Sequence, residues 1–403
     1  MRFSTNIQKL QPSATIAMST LAKKLTGEGR DIINLSAGEP DFDTPVWIVD
    51  RAVEGVRSGA TRYTPAAGMP ELRRAIAALL SARAGRTLDW SGVVVTAGAK
   101  QALFNACFTL FGPGDEILIA APYWTSYPEL ITLARAEAVP VFGAESRDFK
   151  LTPEDLERAA TARTRGLILN TPCNPTGAVY SMEELRAVAE WTRDRGVWLL
   201  ADEIYHNIYH DDDRSAAPGL LDLPPDSVGP VVLVDGASKS YAMTGWRIGF
   251  SYSDPEVAAR CAALQSHVTS NAATPSQVAA LEAFSNREAA ATSVSAMEAA
   301  FRRRRDLVTR LFDELLAGLP YVRPHGAFYL FFRVDSLFGP EVTSATAWCG
   351  RLLEEVGVAL VPGAAFGDDR WVRMSYAASD DELERAIRRI AAFAAEGSPV
   401  AGS

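Results

Sequence analysis

The chain has 403 residues and a formal net charge of −9, with 40 Lys and Arg against 49 Asp and Glu residues. An acidic chain of this kind lacks the basic face expected of a nucleic-acid-binding protein, and its 48% hydrophobic and 22% charged residues exclude a largely disordered or collagen-like protein. No apolar stretch is long enough to span a bilayer, and no secretory signal is predicted at residues 1–6. The four cysteines form no Cys-x-x-Cys pair, so we expect free thiols in a reducing, cytoplasmic compartment.

The first half of the chain alternates short apolar runs with helical patterns. Predicted strands, in chain order, are residues 93–95, 117–119, 139–142, 166–169, 197–201 and 231–234. Helices are predicted over residues 100–110, from a Thr152 cap, and from a capping box at residues 181–184 to Gly196. Continuous apolar strands separated by helices predict a mainly parallel sheet covered on both faces. Ligands of such sheets bind beyond the carboxyl ends of the strands.

After about residue 255 the pattern changes to long helices and short strands. A helix is predicted over residues 297–319, and strands over 328–332 and 358–361. The fold class is therefore α/β, with a large domain whose mainly parallel sheet is flanked by helices and a smaller α+β domain built from both chain ends. The predicted boundaries are 46–285 for the large domain, and 1–45 with 286–403 for the small one. The four arginines at 302–305 are predicted to form a solvated helix face.

Four polar segments follow four of the predicted strands. A turn of small residues at Gly98 opens a helix, and backbone N–H groups at a helix start favour phosphate. Asn174 begins Asn-Pro-Thr-Gly, Asp202 begins Asp-Glu-Ile-Tyr, and Lys239 lies in Ser-Lys-Ser-Tyr-Ala-Met-Thr-Gly-Trp-Arg, which ends at Arg247. Each segment alone is weak evidence for a functional site, because turns, helix caps and solvated charges explain these residue types equally well. Together they bring a phosphate cradle, an amide, an acid and a lysine to one sheet edge.

In this combination the chain resembles the class I aminotransferases of pyridoxal 5′-phosphate fold type I, in the aspartate and aromatic aminotransferase branch. The resemblance runs from about Leu35 to Tyr376 and rests on the motifs Asn-Pro-x-Gly, Asp-Glu-x-Tyr and Ser-Lys-x-x-x-Met-x-Gly-x-Arg, in this order. It implies pyridoxal phosphate as cofactor. It also implies that an amino group moves between an amino acid and a 2-oxo acid, such as 2-oxoglutarate, by a ping-pong mechanism.

The resemblance assigns roles to individual residues around the cofactor ring. Lys239 would form the Schiff base with the cofactor and then carry the proton between the substrate Cα and the cofactor. Asp202 would pair with the pyridinium nitrogen and keep it protonated, which makes the ring an electron sink. Asn174 and Tyr205 would hydrogen-bond the phenolate oxygen of the ring, and Trp124 would stack on its face.

The same resemblance implies the phosphate and substrate contacts. The residues expected around the phosphate are Gly98, Ala99, Lys100, Ser238 and Arg247. Arg373 would bind the substrate α-carboxylate bidentately, assisted by the backbone of Gly38. Trp124 and Asn174 would line the same substrate site. Tyr63 would reach the site of a second protomer, which implies a homodimer, and the small domain would close on the substrate.

The sequence leaves substrate and activity partly open. A dicarboxylate donor needs a second cation, which cannot be assigned, and the neutral Gln11, Ser13 and Thr15 could line that pocket. Aspartate or glutamate is the leading donor by resemblance, followed by aromatic substrates, including prephenate as acceptor. The alternative activities are a lyase or synthase with the same cofactor and a non-catalytic cofactor-binding regulator. The regulator is disfavoured because the predicted fold begins almost at Met1, with no room for a DNA-binding module.

No metal site, nucleic-acid partner or membrane partner is predicted. His206 and His210 have a metal-compatible helical spacing, but no third ligand is apparent and residues 210–213 form a polar run. His325, which precedes a glycine, is predicted to lie in a turn. The expected partners are therefore the amino-acid and 2-oxo-acid substrates and a second copy of the chain.

Overall fold

A computed structural model of the chain describes residues 3–12, 14–211 and 214–397. The strands in chain order are β1 (Ile33–Asn34), β2 (Val93–Thr96), β3 (Glu116–Ala121), β4 (Glu137–Phe142), β5 (Thr164–Asn170), β6 (Trp198–Asp202), β7 (Val231–Gly236), β8 (Gly249–Ser253), β9 (Tyr321–Val322), β10 (Tyr329–Arg333), β11 (Val358–Ala359), β12 (Val361–Pro362) and β13 (Trp371–Ser375). The helices are α1 (Thr5–Lys9), α2 (Ala14–Gly27), α3 (Val46–Arg57), α4 (Pro70–Ala84), α5 (Ala99–Leu110), α6 (Tyr127–Leu133), α7 (Pro153–Ala159), α8 (Met182–Arg195), α9 (Ala237–Ser240), α10 (Pro255–Val268), α11 (Thr274–Ser285), α12 (Arg287–Leu315), α13 (Ala345–Val356) and α14 (Asp380–Gly397).

The larger sheet has seven strands in the order β2-β8-β7-β6-β5-β3-β4, and only β8 runs antiparallel to its neighbours. Successive residues of the central strands enter two different cores, since side chains alternate between the faces of a strand. One core contains Leu167, Leu199 and Leu233, whereas the other contains Ile168, Leu200 and Val232. Helices therefore cover both faces, which confirms the predicted mainly parallel sheet.

A smaller antiparallel sheet, in the order β12-β13-β10-β9, packs against α12, α13 and α14. A two-stranded parallel pair, β1 with β11, joins the amino-terminal segment to the carboxyl-terminal one through the register Ile33 to Val358. The core at this end is rich in aromatic side chains, such as Phe301, Phe328 and Phe332. The predicted boundaries between large and small domains are not tested by these pairings and stay a prediction.

Local capping explains where two of the predicted helices begin. The Thr152 side chain accepts from the Asp155 N–H while the Asp155 carboxylate accepts from the Thr152 N–H, and Ser181 makes the same box at the start of α8. Gly196 ends α8 with φ +64°, a left-handed conformation that glycine adopts without strain. These caps were predicted from sequence alone and are confirmed.

Three local predictions were wrong, each because distant contacts decide the outcome. The long helix spans Arg287–Leu315 rather than 297–319, although Leu319 remains buried in the core beyond it. Residues 358–361 form two strands of different sheets, β11 and β12, rather than one. Arg304 and Arg305 are buried rather than solvated, and Arg304 makes two hydrogen bonds of 2.7 and 2.8 Å to Asp41.

Within the described part of the chain, no helix combines the length and the apolar character needed for a membrane crossing.

Candidate active site

The carboxyl ends of β2, β3, β5, β6 and β7 border a cavity of about 340 Å³, where parallel sheets place their ligands. Its opposite wall comes from the segment after β1 and from β13. The predicted site residues that line it are Gly38, Ala99, Lys100, Trp124, Asn174, Asp202, Tyr205, Ser238, Lys239, Arg247 and Arg373. Gly98 lies beside Arg247 at its edge. Tyr63 does not line this cavity and is 90% exposed.

Lys239 projects into the cavity from α9, the short helix that directly follows β7. Its Nζ donates a 2.5 Å hydrogen bond to the carbonyl oxygen of Gly38. The pKa of the Lys239 amine is lowered to about 8, chiefly by burial. The Glu39 charge raises this pKa, whereas the nearby Arg373 charge lowers it. An amine with a depressed pKa is present in neutral, nucleophilic form at physiological pH.

Asp202 is the last residue of β6, and its carboxyl group is buried. Its Oδ2 accepts a 2.7 Å hydrogen bond from the Tyr127 hydroxyl, and its Oδ1 accepts from the Ile204 N–H at 3.3 Å. The pKa of Asp202 is raised to about 6 because the effect of burial exceeds that of the Tyr127 hydrogen bond, which lowers it. Within the described ranges Asp202 makes no salt bridge, so its charge is free to pair with a cation in the cavity.

Arg373 approaches from the opposite wall and is almost fully buried. Its Nη1 donates to Asn174 Oδ1 at 3.0 Å and its Nη2 donates to the Ser36 carbonyl at 2.7 Å. Its Nε has no hydrogen-bond partner among the described residues. Both acceptors are neutral, and a buried guanidinium normally requires an anion. This geometry suits a carboxylate brought by a ligand.

The third side of the cavity is built around Gly98 and Arg247. Gly98 has φ +83°, and a Cβ atom there would lie 2.5 Å from Arg247 Nη2, so only glycine fits without displacing the guanidinium. Helix α5 begins at Ala99 without a side-chain cap, and its amino terminus therefore offers N–H groups to an anion. Lys100 lies 4.9 Å from the Trp124 ring centroid, and burial lowers the pKa of its amine.

These residues fit pyridoxal phosphate on chemical grounds. Four cationic and two acidic side chains line the cavity, a balance that favours a ligand with more than one anionic group. The uncapped helix and Arg247 suit its phosphate, the buried Asp202 suits its ring nitrogen, and Lys239 supplies the amine. Arg373, with its unpartnered Nε, remains for the carboxylate of a substrate.

Several residues in or beside the cavity were not identified from sequence. Tyr127 contacts Asp202, and its helical spacing of three from Trp124 is the signal that could have revealed it. The Tyr329 hydroxyl lies 2.7 Å from that of Tyr205, but nothing in the local sequence of β10 marks it. Glu39 lines the cavity and accepts a 2.8 Å hydrogen bond from Thr244 Oγ1.

The neutral residues named for the substrate side-chain pocket lie in different places. Thr15 lines the cavity, as do Ile16 and Ser19 on the same helix. Gln11 is exposed and is not part of the cavity wall. Ser13 lies outside the described residues.

The histidines are placed away from this cavity. His210 Nε2 lies 2.9 Å from the Tyr376 hydroxyl and 2.9 Å from the Ala327 carbonyl, whereas His206 is buried with Nδ1 unpartnered in the described chain. Over residues 3–12, 14–211 and 214–397, no group of three or more His, Cys, Asp or Glu side chains is placed to hold a metal ion.

Comparisons with known proteins agree over nearly the whole chain. The sequence pattern of the family described as "Aminotransferase class I and II" matches residues 30–390. An aspartate aminotransferase of Streptomyces avermitilis is 40% identical, covering 96% of this chain and 95% of that protein. An aspartate/prephenate aminotransferase of Cereibacter sphaeroides is 41% identical, covering 97% of this chain and 98% of that protein.

A solved structure shows the same similarity in three dimensions. The aspartate aminotransferase from Thermus thermophilus with maleate is 40% identical and matches with a TM-score of 0.90, covering 98% of this chain and all of that chain. The predicted family, fold class and cofactor are thus confirmed. The chain belongs to the class I and II aminotransferase family and is a pyridoxal-phosphate-dependent aminotransferase.

Proposed function

We propose that this cavity transfers the amino group of aspartate or glutamate to a 2-oxo acid such as 2-oxoglutarate, by a ping-pong mechanism. The observation that carries the proposal is that three side chains meet in one cavity. They are the Lys239 amine with its lowered pKa, the buried acid Asp202 and the buried guanidinium of Arg373, which has no carboxylate partner among the described residues. The acidic donor is supported by the cationic cavity and by relatives described as aspartate and aspartate/prephenate aminotransferases.

The proposed chemistry at the reacting carbon divides between two side chains. Pyridoxal phosphate, when bound, supplies a ring that delocalises the electron pair left when the substrate loses its Cα proton. The ionised Asp202 keeps the proton on the ring nitrogen. With a pKa of about 8, roughly a quarter of Lys239 is neutral at pH 7.5, against roughly 0.1% of an ordinary lysine. We assign Lys239 as the base that removes the Cα proton and carries it to the cofactor, a step worth about 10²–10⁴-fold.

The remaining side chains orient the reactants in this proposal. The phosphate would be held by Gly98, Ala99, Lys100, Ser238 and Arg247. The ring oxygen would be held by Asn174 and Tyr205, and the ring face would be covered by Trp124. Arg373 and the Gly38 backbone bind the α-carboxylate of the substrate. Because Gly38 and Arg373 both belong to the opposite wall, closure of residues 1–45 and 286–403 on the large domain would exclude water from the reaction.

A screen of amino donors with 2-oxoglutarate tests the reaction and the substrate. We expect aspartate and glutamate to be used best, tyrosine and phenylalanine next, and the matching keto acid to be released. Lys239→Ala should abolish turnover. Release of ammonia or of a cyclic product, without transfer to 2-oxoglutarate, would instead support a lyase or synthase.

We also propose a cytoplasmic homodimer in which Tyr63 completes the site of the partner. The four cysteines are free thiols, as expected in a reducing compartment, and the Tyr63 ring is exposed in the single chain. Mixing Lys239→Ala with Tyr63→Ala chains tests the shared site, because a mixed dimer has one site with both residues intact. About a quarter of wild-type activity should return on random exchange. A monomer with full activity would contradict the proposal.

A further inference from the structure

Tyr127 is the first residue of α6, and its side chain is buried at the cavity wall. Its hydroxyl donates a 2.7 Å hydrogen bond to Asp202 Oδ2. Burial raises the pKa of Tyr127 well above its ordinary value, and the Asp202 charge raises it further. The phenol therefore keeps its proton and can only donate to a charged Asp202.

This hydrogen bond acts on both the charge and the direction of Asp202. With Oδ2 held by Tyr127 and Oδ1 near the Ile204 N–H, the carboxylate cannot rotate freely about its Cβ–Cγ bond. Among the hydrogen bonds that oppose the effect of burial on Asp202, that of Tyr127 is the largest. A hydrogen bond to a charged group in a buried site is stronger than one between neutral groups.

The ring of Tyr127 makes a second contact with the cavity wall. It meets the indole of Trp124 edge to face, with ring centroids 5.5 Å apart and an angle of 82° between the planes. The Tyr127 N–H also donates to the Trp124 carbonyl at 3.0 Å. One side chain thus contacts both the acid and the aromatic ring that are assigned to the cofactor.

We infer that Tyr127 is a positioning residue for the cofactor, whose hydroxyl holds Asp202 ionised and aligned while its ring supports Trp124. This inference rests on the proposed role of Asp202 as the partner of the ring nitrogen. It adds to that role the group that keeps the carboxylate charged inside a buried site.

The test uses pyridoxine 5′-phosphate, which carries the ring nitrogen and the phosphate but has no aldehyde to react with Lys239. Its dissociation constant is measured from pH 5 to 8.5 by calorimetry on cofactor-free wild type and Tyr127→Phe. In the wild type, affinity should fall as the pH drops through the Asp202 pKa of about 6. In Tyr127→Phe this midpoint should rise by about one to two pH units, and affinity at pH 7 should weaken by about two- to tenfold.

Two further variants separate positioning from general damage. Tyr180→Phe removes another buried phenol, which accepts a 2.7 Å hydrogen bond from the Leu151 N–H and does not contact Asp202, so its midpoint should stay at the wild-type value. In an Asp202→Asn background, Tyr127→Phe should leave the pH profile unchanged, because the titrating group is gone. If Tyr127→Phe changes probe binding equally in both backgrounds, Tyr127 does not act through Asp202 and has only a structural role, which would contradict the inference.

The outcomes distinguish the proposed role of Asp202 from the inferred role of Tyr127. If Asp202→Asn binds the probe with the wild-type pH profile, the proposed role of Asp202 fails. If Asp202 controls the profile but Tyr127→Phe keeps the wild-type midpoint, the inference about Tyr127 alone is overturned. Should Tyr127→Phe not fold, Tyr127→Leu, which also lacks a hydrogen-bond donor, replaces it, and an unmoved midpoint in that variant overturns the inference in the same way.

Discussion

The amine of Lys239 should titrate near pH 8 in the cofactor-free protein. Its pKa is lowered from 10.5 to about 8 chiefly by burial, a difference of about 3 kcal/mol between the two protonation states. Only the neutral amine reacts with an aldehyde, so the rate at which the protein captures pyridoxal phosphate should rise with pH and level off above about 8. Stopped-flow absorbance at a series of pH values measures this midpoint.

Glu39→Gln is the perturbation that tests the cause of this value. Among the charged groups around Lys239, Glu39 has the largest effect on the pKa of the amine, and it raises that pKa. Glutamine keeps an oxygen that can accept from Thr244, so the variant removes the charge while preserving the contact. Because Glu39 is exposed and water screens its charge, we expect the midpoint to fall by about 0.5–1 unit. Capture at pH 7 should become about three- to fivefold faster.

Glu183→Gln, an exposed carboxylate in the first turn of α8, is the matched control and should leave the midpoint unchanged. A wild-type midpoint near 10 would refute the argument that burial depresses the pKa of Lys239. An unmoved midpoint in Glu39→Gln would refute the assignment of the opposing charge to Glu39.

Three further predictions concern the cavity wall and the core. Arg373→Lys keeps the charge but loses the paired donors, so kcat/KM for the amino donor should fall by about 10–100-fold, and an unchanged value would contradict the carboxylate role. Gly98→Ala forces a methyl group onto Arg247 at a positive φ and should weaken pyridoxal phosphate binding by about tenfold or more, whereas Gly112→Ala, which meets no neighbour, should not. Arg304→Met should lower the free energy of unfolding in urea by about 1–3 kcal/mol, since it leaves a partly buried carboxylate unpaired, and a loss below about 0.5 kcal/mol would contradict this.

The fold class and the position of the site were predictable because their signals are local. Apolar runs of strand length, the cap at Thr152 and the glycine at 196 each act over a few residues. The rule that parallel strands present their carboxyl ends at one edge then places Asn174, Asp202 and Lys239 together without knowledge of any contact.

The predictions that were wrong or missing concern residues whose neighbours in the structure are distant in sequence. The run of arginines at 302–305 predicts a solvated helix face, but folding places Asp41 against Arg304. Residues 358–361 are uniformly apolar, so only the positions of β1 and β13 divide them between two sheets. Tyr127 was missed as a partner of Asp202 because the two residues lie 75 positions apart.

By itself, the sequence determined the alternation of strands and helices, the order of the motifs and the residue types at the sheet edge. The tertiary structure alone decided that Lys239 has a depressed pKa, that Asp202 accepts a hydrogen bond from a phenol and that Arg373 is buried with neutral partners, Asn174 and Ser36. The physical reason is that these two groups of interactions act over different separations along the chain. Propensity and capping act between neighbours in the chain, whereas desolvation and Coulomb interactions act between whatever groups folding brings together.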